Sequence, residues 1–143
     1  MEKEFVNYNQ ALKLKPLGFD EPCFGFYQLE YGEIRPIMVD DDEQYRLTGY
    51  RTCKNSEIPN HYTSAPTFSQ CFRWFREKYN LYHTIDKQGY WFFQIKKDEG
   101  FGDLTEVIVT YDYNSYEEAE LACLDKLIEV VEQIEKVEHG VYR

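Results

Sequence analysis

Thr67-Phe68-Ser69-Gln70-Cys71-Phe72-Arg73-Trp74-Phe75-Arg76-Glu77-Lys78-Tyr79 carries a helix cap followed by a single apolar stripe, and the rest of the chain is arranged around it. Thr67 can accept from the N–H three residues on, and Gln70 stands there to reach back to the cap. Phe68, Cys71, Phe72, Phe75 and Tyr79 recur at i, i+3, i+4, i+7 and i+11, while Ser69, Arg73, Arg76 and Glu77 take the opposite face. The pattern predicts a helix over 67–79, with Trp74 off the stripe.

Strand signals follow. Leu81 to Ile85 and Tyr90 to Lys96 flank the turn Asp86-Lys87-Gln88-Gly89, and Leu104 to Tyr111 follows the turn Asp98 to Asp103. Alternation places Trp91, Phe93 and Ile95 on one face of the middle strand and Tyr90, Phe92 and Gln94 on the other. Both faces are partly apolar, so both are expected to be covered at least in part. A second cap, Ser115-Tyr116-Glu117-Glu118, then opens a helix running to about Lys136. Ala119, Cys123, Leu127, Val130, Ile134 and Val137 form one apolar row, and Leu121, Leu124, Ile128 and Val131 form an adjoining one. That stripe is wider than one sheet contact needs, and the surplus is expected to pack on the first helix or on another subunit.

Upstream, Asn7-Tyr8-Asn9-Gln10 repeats the cap, and the short helix it opens over 7–15 is stopped by Pro16 and Gly18. Cys23 to Tyr31 reads as an aromatic-rich strand. Ile34 to Val39 reads as an edge strand because of Pro36, Asp40 to Glu43 as a charged turn, and Gln44 to Arg51 as a further strand. Thr52 to Pro66, with Pro59, Asn60 and Pro66, reads as a long connection of the kind that binds something or flexes. The fold expected is a single α+β domain over 1–143: a mainly antiparallel sheet with three helices, its C-terminal half ordered α-β-β-β-α.

Composition bounds function. With 143 residues, 43% hydrophobic and 29% charged, the chain can bury a core without disulfide or metal, and no apolar run reaches membrane-span length. Cys23, Cys53, Cys71 and Cys123 contain no CxxC pair and are expected to be reduced thiols. The N-terminal residues offer no apolar segment of signal-peptide length, so a cytoplasmic location is expected. Net charge is -10, and Ser115 to Glu138, with eight acids and two lysines, supplies -6 of it, a surface that repels phosphate.

The motifs for chemistry are sparse. His61 lies in the long connection, His83 in a strand and His139 in the tail, and none has a Ser or Cys in a nucleophile context. A zinc site from Cys23, Cys53, His61 and Cys71 lacks the closely spaced pairs such sites use. Asp40-Asp41-Asp42-Glu43 lacks the alternation of an ion loop. Asp98-Glu99-Gly100-Phe101-Gly102-Asp103 joins strands instead of opening a helix, so it makes no phosphate cradle. No catalytic residue, cofactor or metal ligand is therefore assigned.

Helix, three strands, helix is the outline of a double-stranded RNA-binding domain, but Glu117, Glu118 and Glu120 stand where such domains put lysines, and nucleic acid is disfavoured as a partner. Phe24, Phe26 and Tyr27, or Trp91 and Phe93, have the ring chemistry of base-stacking platforms but no basic frame, and core is the simpler reading. Arg73, Trp74 and Arg76 form the one cationic and aromatic group, suited to ion pairing or to a protein contact. Together with Leu121, Leu124, Ile128 and Val131 they are the candidate protein-contact surface.

Ala65 to Tyr79, followed by Tyr116-Glu117-Glu118-Ala119-Glu120-Leu121-Ala122, resembles small uncharacterised proteins encoded in phage and prophage regions of gut bacteria of the Bacteroides kind. The likeness covers the C-terminal half and part of the first helix, where Pro16 departs from it. It implies a mobile-element origin and no particular reaction, and no functional residues carry over. The expected function is a non-enzymatic accessory protein working through a protein partner or self-association. The alternatives are an acidic mimic of nucleic acid that occupies a host enzyme, and a small hydrolase using His61.

Overall fold

Three capped helix starts organise the chain in the computed structural model, which describes residues 2–28, 36–42, 51–100, 102 and 104–138. Before α1 (Tyr8–Leu14), the Gln10 N–H donates to Asn7 Oδ1 at 2.8 Å and the Asn7 N–H donates to Gln10 Oε1 at 3.1 Å. Before α2 (Phe68–Tyr79), Gln70 donates its N–H to Thr67 Oγ1 at 3.2 Å and Thr67 returns its own to Gln70 Oε1 at 2.9 Å. At α3 (Tyr116–Glu138) the reciprocity slips by one residue. Glu118 donates its N–H to Ser115 Oγ at 3.2 Å, but its carboxylate accepts from Asn114 at 3.1 Å.

The helix stops are equally local. Gly18 adopts φ 92° behind α1, and the Phe19 N–H donates to Leu14 O at 3.2 Å. Asn80, at φ 57°, ends α2 and donates to Arg76 O at 3.1 Å, a left-handed stop that short polar side chains tolerate.

The chain divides into two compact units, Met1–Gln70 and Cys71–Arg143. The first contains α1 and a sheet in which β1 (Gly25–Gln28) is flanked by β2 (Ile37–Met38) and β3 (Tyr62–Ala65), both antiparallel to it. Val6, Leu14, Phe19, Phe26, Tyr27 and Val39 are buried there, each apolar side chain of that size stabilising by about 1.5–3 kcal/mol. A Cβ on Gly25 would stand 3.1 Å from Ile37 O, so any larger residue there requires β2 to give way slightly. Lys15 ties the end of α1 to the start of β3 by donating to Asn60 O and Tyr62 O, each at 2.9 Å.

Several expectations change in this unit. Thr52 to Pro66 is not one loop: Tyr62–Ala65 is a strand, registered from Gly25↔Ala65 to Gln28↔Tyr62. Asn55 anchors the preceding turn, donating to Phe19 O and accepting from Ser64 N, both at 2.8 Å. The edge strand expected over 34–39 survives as Ile37–Met38, followed by a 3-10 turn at Val39–Asp41. Residues 34–35 of that strand, 29–31 of the preceding one, 44–50 of the next, and Glu43 of the acidic turn lie outside the described residues.

The second unit holds β4 (Leu81–Gln88), β5 (Tyr90–Asp98) and β6 (Leu104–Tyr113) in the order β4-β5-β6, all antiparallel. Gly89, at φ 76°, makes the first reversal, and β4 pairs with β5 from Gln88↔Tyr90 to Leu81↔Lys97. β6 twice carries one residue more than β5, at Asp112 (φ 82°) and at Val107. α3 lies on the sheet, chiefly over β5 and β4. Phe93, Ile95, Leu81, Cys123, Leu124, Leu127, Ile128 and Val131 are all at most 2% exposed. Tyr79 of α2 donates its hydroxyl to Glu135 of α3 at 2.8 Å. The fold is α+β with three α-helices and two antiparallel sheets among the described residues, two sheets where one was expected. No helix among those residues is long and apolar enough to cross a membrane.

Candidate functional site

Strand alternation gives the β4-β5-β6 sheet two unlike faces. Trp91, Phe93 and Ile95 point to the helix side, joined there by Leu81, His83 and Ile85 of β4 through the pairs Ile85↔Phe93 and His83↔Ile95. Phe72 of α2 stacks on His83 with centroids 3.7 Å apart and planes at 19°, and Trp91 meets Tyr116 of α3 edge-on at 5.5 Å.

The opposite face carries Tyr82, Thr84 and Asp86 of β4, Tyr90, Phe92, Gln94 and Lys96 of β5, and Glu106, Val109 and Tyr111 of β6. It is solvent-accessible and aromatic. Tyr90 and Tyr111 are 59% and 51% exposed, and Phe92, half-buried, lies against Tyr111 with centroids 5.0 Å apart. Thr84 donates to Gln94 at 3.3 Å across the middle, and Lys96 pairs directly with Glu106. Phe92, Gln94 and Lys96 along its centre are half-buried while Tyr90 and Tyr111 at its margins are exposed, so this face is covered only in part. Alternation alone puts Tyr90 and Phe92 on a common face, but the exposure of that face is not visible in β5 by itself. The signal was in β4, where Thr84, Asp86 and Gln88 give that face a polar flank.

The expected contact surface on the helices does not assemble. Trp74 is only 5% exposed, with the Lys78 ammonium 5.0 Å over its ring and Tyr79 edge-on at 5.5 Å, whereas Arg73 is exposed and Arg76 half-buried. Leu124, Ile128 and Val131 are at 0%, 1% and 0% exposure, so the second apolar row is used inside the chain, and Leu121 at 38% is its one open member. The proposed stacking platforms are likewise core in part: Phe26, Tyr27 and Phe93 are buried, while Phe24 is exposed.

Burial is the leading cause of the shifts at His83 and at three of the cysteines. Burial, reinforced by the Arg76 charge, lowers His83 from its ordinary 6.5 to about 4, leaving a neutral ring at physiological pH. His61 is exposed, its ring edge-on to Tyr62 at 4.4 Å, and His139 lies outside the described residues. All four cysteines are free and buried. Burial pushes Cys23 and Cys53 up to about 12, the Ser64 hydroxyl opposing this at Cys23 and the Glu57 charge adding to it at Cys53. Cys123 is raised as well, by burial and then Glu120. Among the described residues no three His, Cys, Asp or Glu side chains gather to hold a metal ion. No family model, no curated protein and no solved structure matches the chain.

Proposed function

We propose a non-enzymatic accessory protein, of phage or prophage type, that works by binding another protein through the open face of the β4-β5-β6 sheet. The observation that carries this reading is the cluster of Tyr90, Phe92 and Tyr111 on a face with solvent before it and a packed core behind it. Aromatic side chains bring large contact area at small entropic cost, and rigid strands hold them in place. Net charge selects the partner. A second copy of a chain at -10 would be repelled at long range, so the occupant is a different protein with an apolar centre and a basic rim.

The test is capture of partners by wild type, by Phe92→Glu with Tyr111→Glu, and by Leu121→Glu as a helix-side control. A partner lost only with the double sheet variant, and released by moderate salt, supports the reading. Partners retained equally by all three chains would end it.

A second reading rests on α3. Glu118, Asp125 and Glu129 are exposed at i, i+7 and i+11, which places them on one helical stripe, as an acidic mimic of nucleic acid would need. The row is uneven, and Glu129 is held by Lys126 at 3.2 Å. Displacement of the captured partner by duplex DNA would favour this reading, and indifference to DNA would favour the sheet face.

A further inference from the structure

We propose that Cys23 and Cys53 are the two halves of a latent, reversible disulfide. They face each other directly in an isolated antiparallel bridge, each donating its N–H to the other's carbonyl at 2.8 Å. Residues in a bonded antiparallel pair of this kind have Cα atoms about 5.5 Å apart and side chains on a common side, inside the span of about 4.4–6.8 Å that a disulfide bridges. Cβ atoms in such pairs stand about 4.5–5.5 Å apart, however, against about 3.8 Å in a relaxed disulfide. The bond closes only with a local shift and holds strain, and strained disulfides are the readily reduced ones.

In the reduced chain each thiol is engaged by a backbone carbonyl. Cys23 Sγ contacts Glu21 O at 3.3 Å and Cys53 Sγ contacts Gly25 O at 3.5 Å, carbonyls that lie on opposite sides of Cys23 along the chain. Forming the bond gives up both of these contacts. Both residues are almost fully buried, at 0% and 1% exposure, and stay protonated at neutral pH, so exchange proceeds through brief opening of the bridge and is slow in the folded state.

The oxidant class is a low-molecular-weight disulfide such as oxidised glutathione. One cysteine thiolate attacks a glutathione sulfur, forming a mixed disulfide and expelling one glutathione thiolate. The other cysteine thiolate attacks the protein-bound sulfur of that mixed disulfide and expels the second. One glutathione disulfide is reduced by two electrons to two thiols, which take up the two protons the cysteines lose.

The full chain is refolded from urea in buffers spanning ratios of reduced to oxidised glutathione, alkylated and mapped by peptide mass spectrometry. The result expected is a linked Cys23–Cys53 peptide with Cys71 and Cys123 alkylated, and reopening of the link in excess reduced glutathione. Cys53→Ala abolishes the link and Cys71→Ala retains it, so a folding failure of one variant leaves the other informative. In the native state, closure in the same buffer is at least tenfold slower. Alkylation or single glutathione capping of both cysteines at every ratio would overturn the pairing, as would predominant links to Cys71 or Cys123. A link that survives excess reduced glutathione would overturn its reversibility.

Discussion

Three side chains in this protein, Tyr8, Tyr27 and His83, are set by what surrounds their polar atoms. Tyr8 packs edge-on against Tyr27 with centroids 5.4 Å apart, yet its hydroxyl is buried without a hydrogen-bond partner among the described residues, while Tyr27 donates its own to Val6 O at 2.7 Å. An unmatched buried hydroxyl carries a desolvation penalty and no compensating bond. Tyr8→Phe is therefore expected to be neutral or to stabilise by about 1 kcal/mol, whereas Tyr27→Phe destabilises, both read from urea midpoints. His83 gives a pH dependence of definite sign. Its folded-state pKa, about 4, lies below the 6.5 of the unfolded side chain, so the unfolded chain binds the proton first. The stability it contributes is complete above pH 6.5 and is lost as pH falls through that window towards about 4. His83→Gln should remove this one-proton slope from the acid limb of the urea-midpoint profile, and an unchanged slope would show that the ring titrates normally.

At the level of elements, Gly89 reverses the chain between β4 and β5 at φ 76°, with nothing within 4 Å of where a Cβ would stand. The penalty of Gly89→Ala is then backbone strain alone, about 1–2 kcal/mol, measurable as a lower urea midpoint with the fold's circular dichroism unchanged. Elements of this kind were legible in the sequence because their determinants are local. Asn7, Thr67 and Ser115 each carry their partner three residues on, and the strands flanking Gly89 meet through adjacent residues. β3 was not legible. Thr63, Ser64 and Ala65 have little apolar signal, Pro59 and Pro66 read as loop, and the strand exists because it pairs with Gly25–Gln28, far away in sequence. The extra residue at Asp112 was hidden for a related reason, since an aspartate at positive φ looks like any other strand aspartate until its partner strand is in place. The aromatic face was half legible: alternation assigned Tyr90 and Phe92 to one side, but whether a side is covered is decided by where helices pack.

Across the whole molecule, charge is the dominant non-local term. The chain carries -10, and α3 with its flanks contributes -6 of it, so carboxylates repel one another in the compact state. Raising ionic strength from about 0.01 M to about 0.15 M shortens the screening length from about 30 Å to about 8 Å. The urea midpoint is expected to rise over that range, and a midpoint independent of salt would show the acids to be too dispersed to repel. The two irregularities in β6 bear on how such a molecule avoids polymerising. Leu104–Tyr113 is a ten-residue border strand whose only charges are Glu106 and Asp112, a composition that invites identical strands to stack into fibres. Inserting Val107 and Asp112 out of step interrupts the repeat of main-chain groups that stacking needs, so identical strands cannot add to this border in unbroken register.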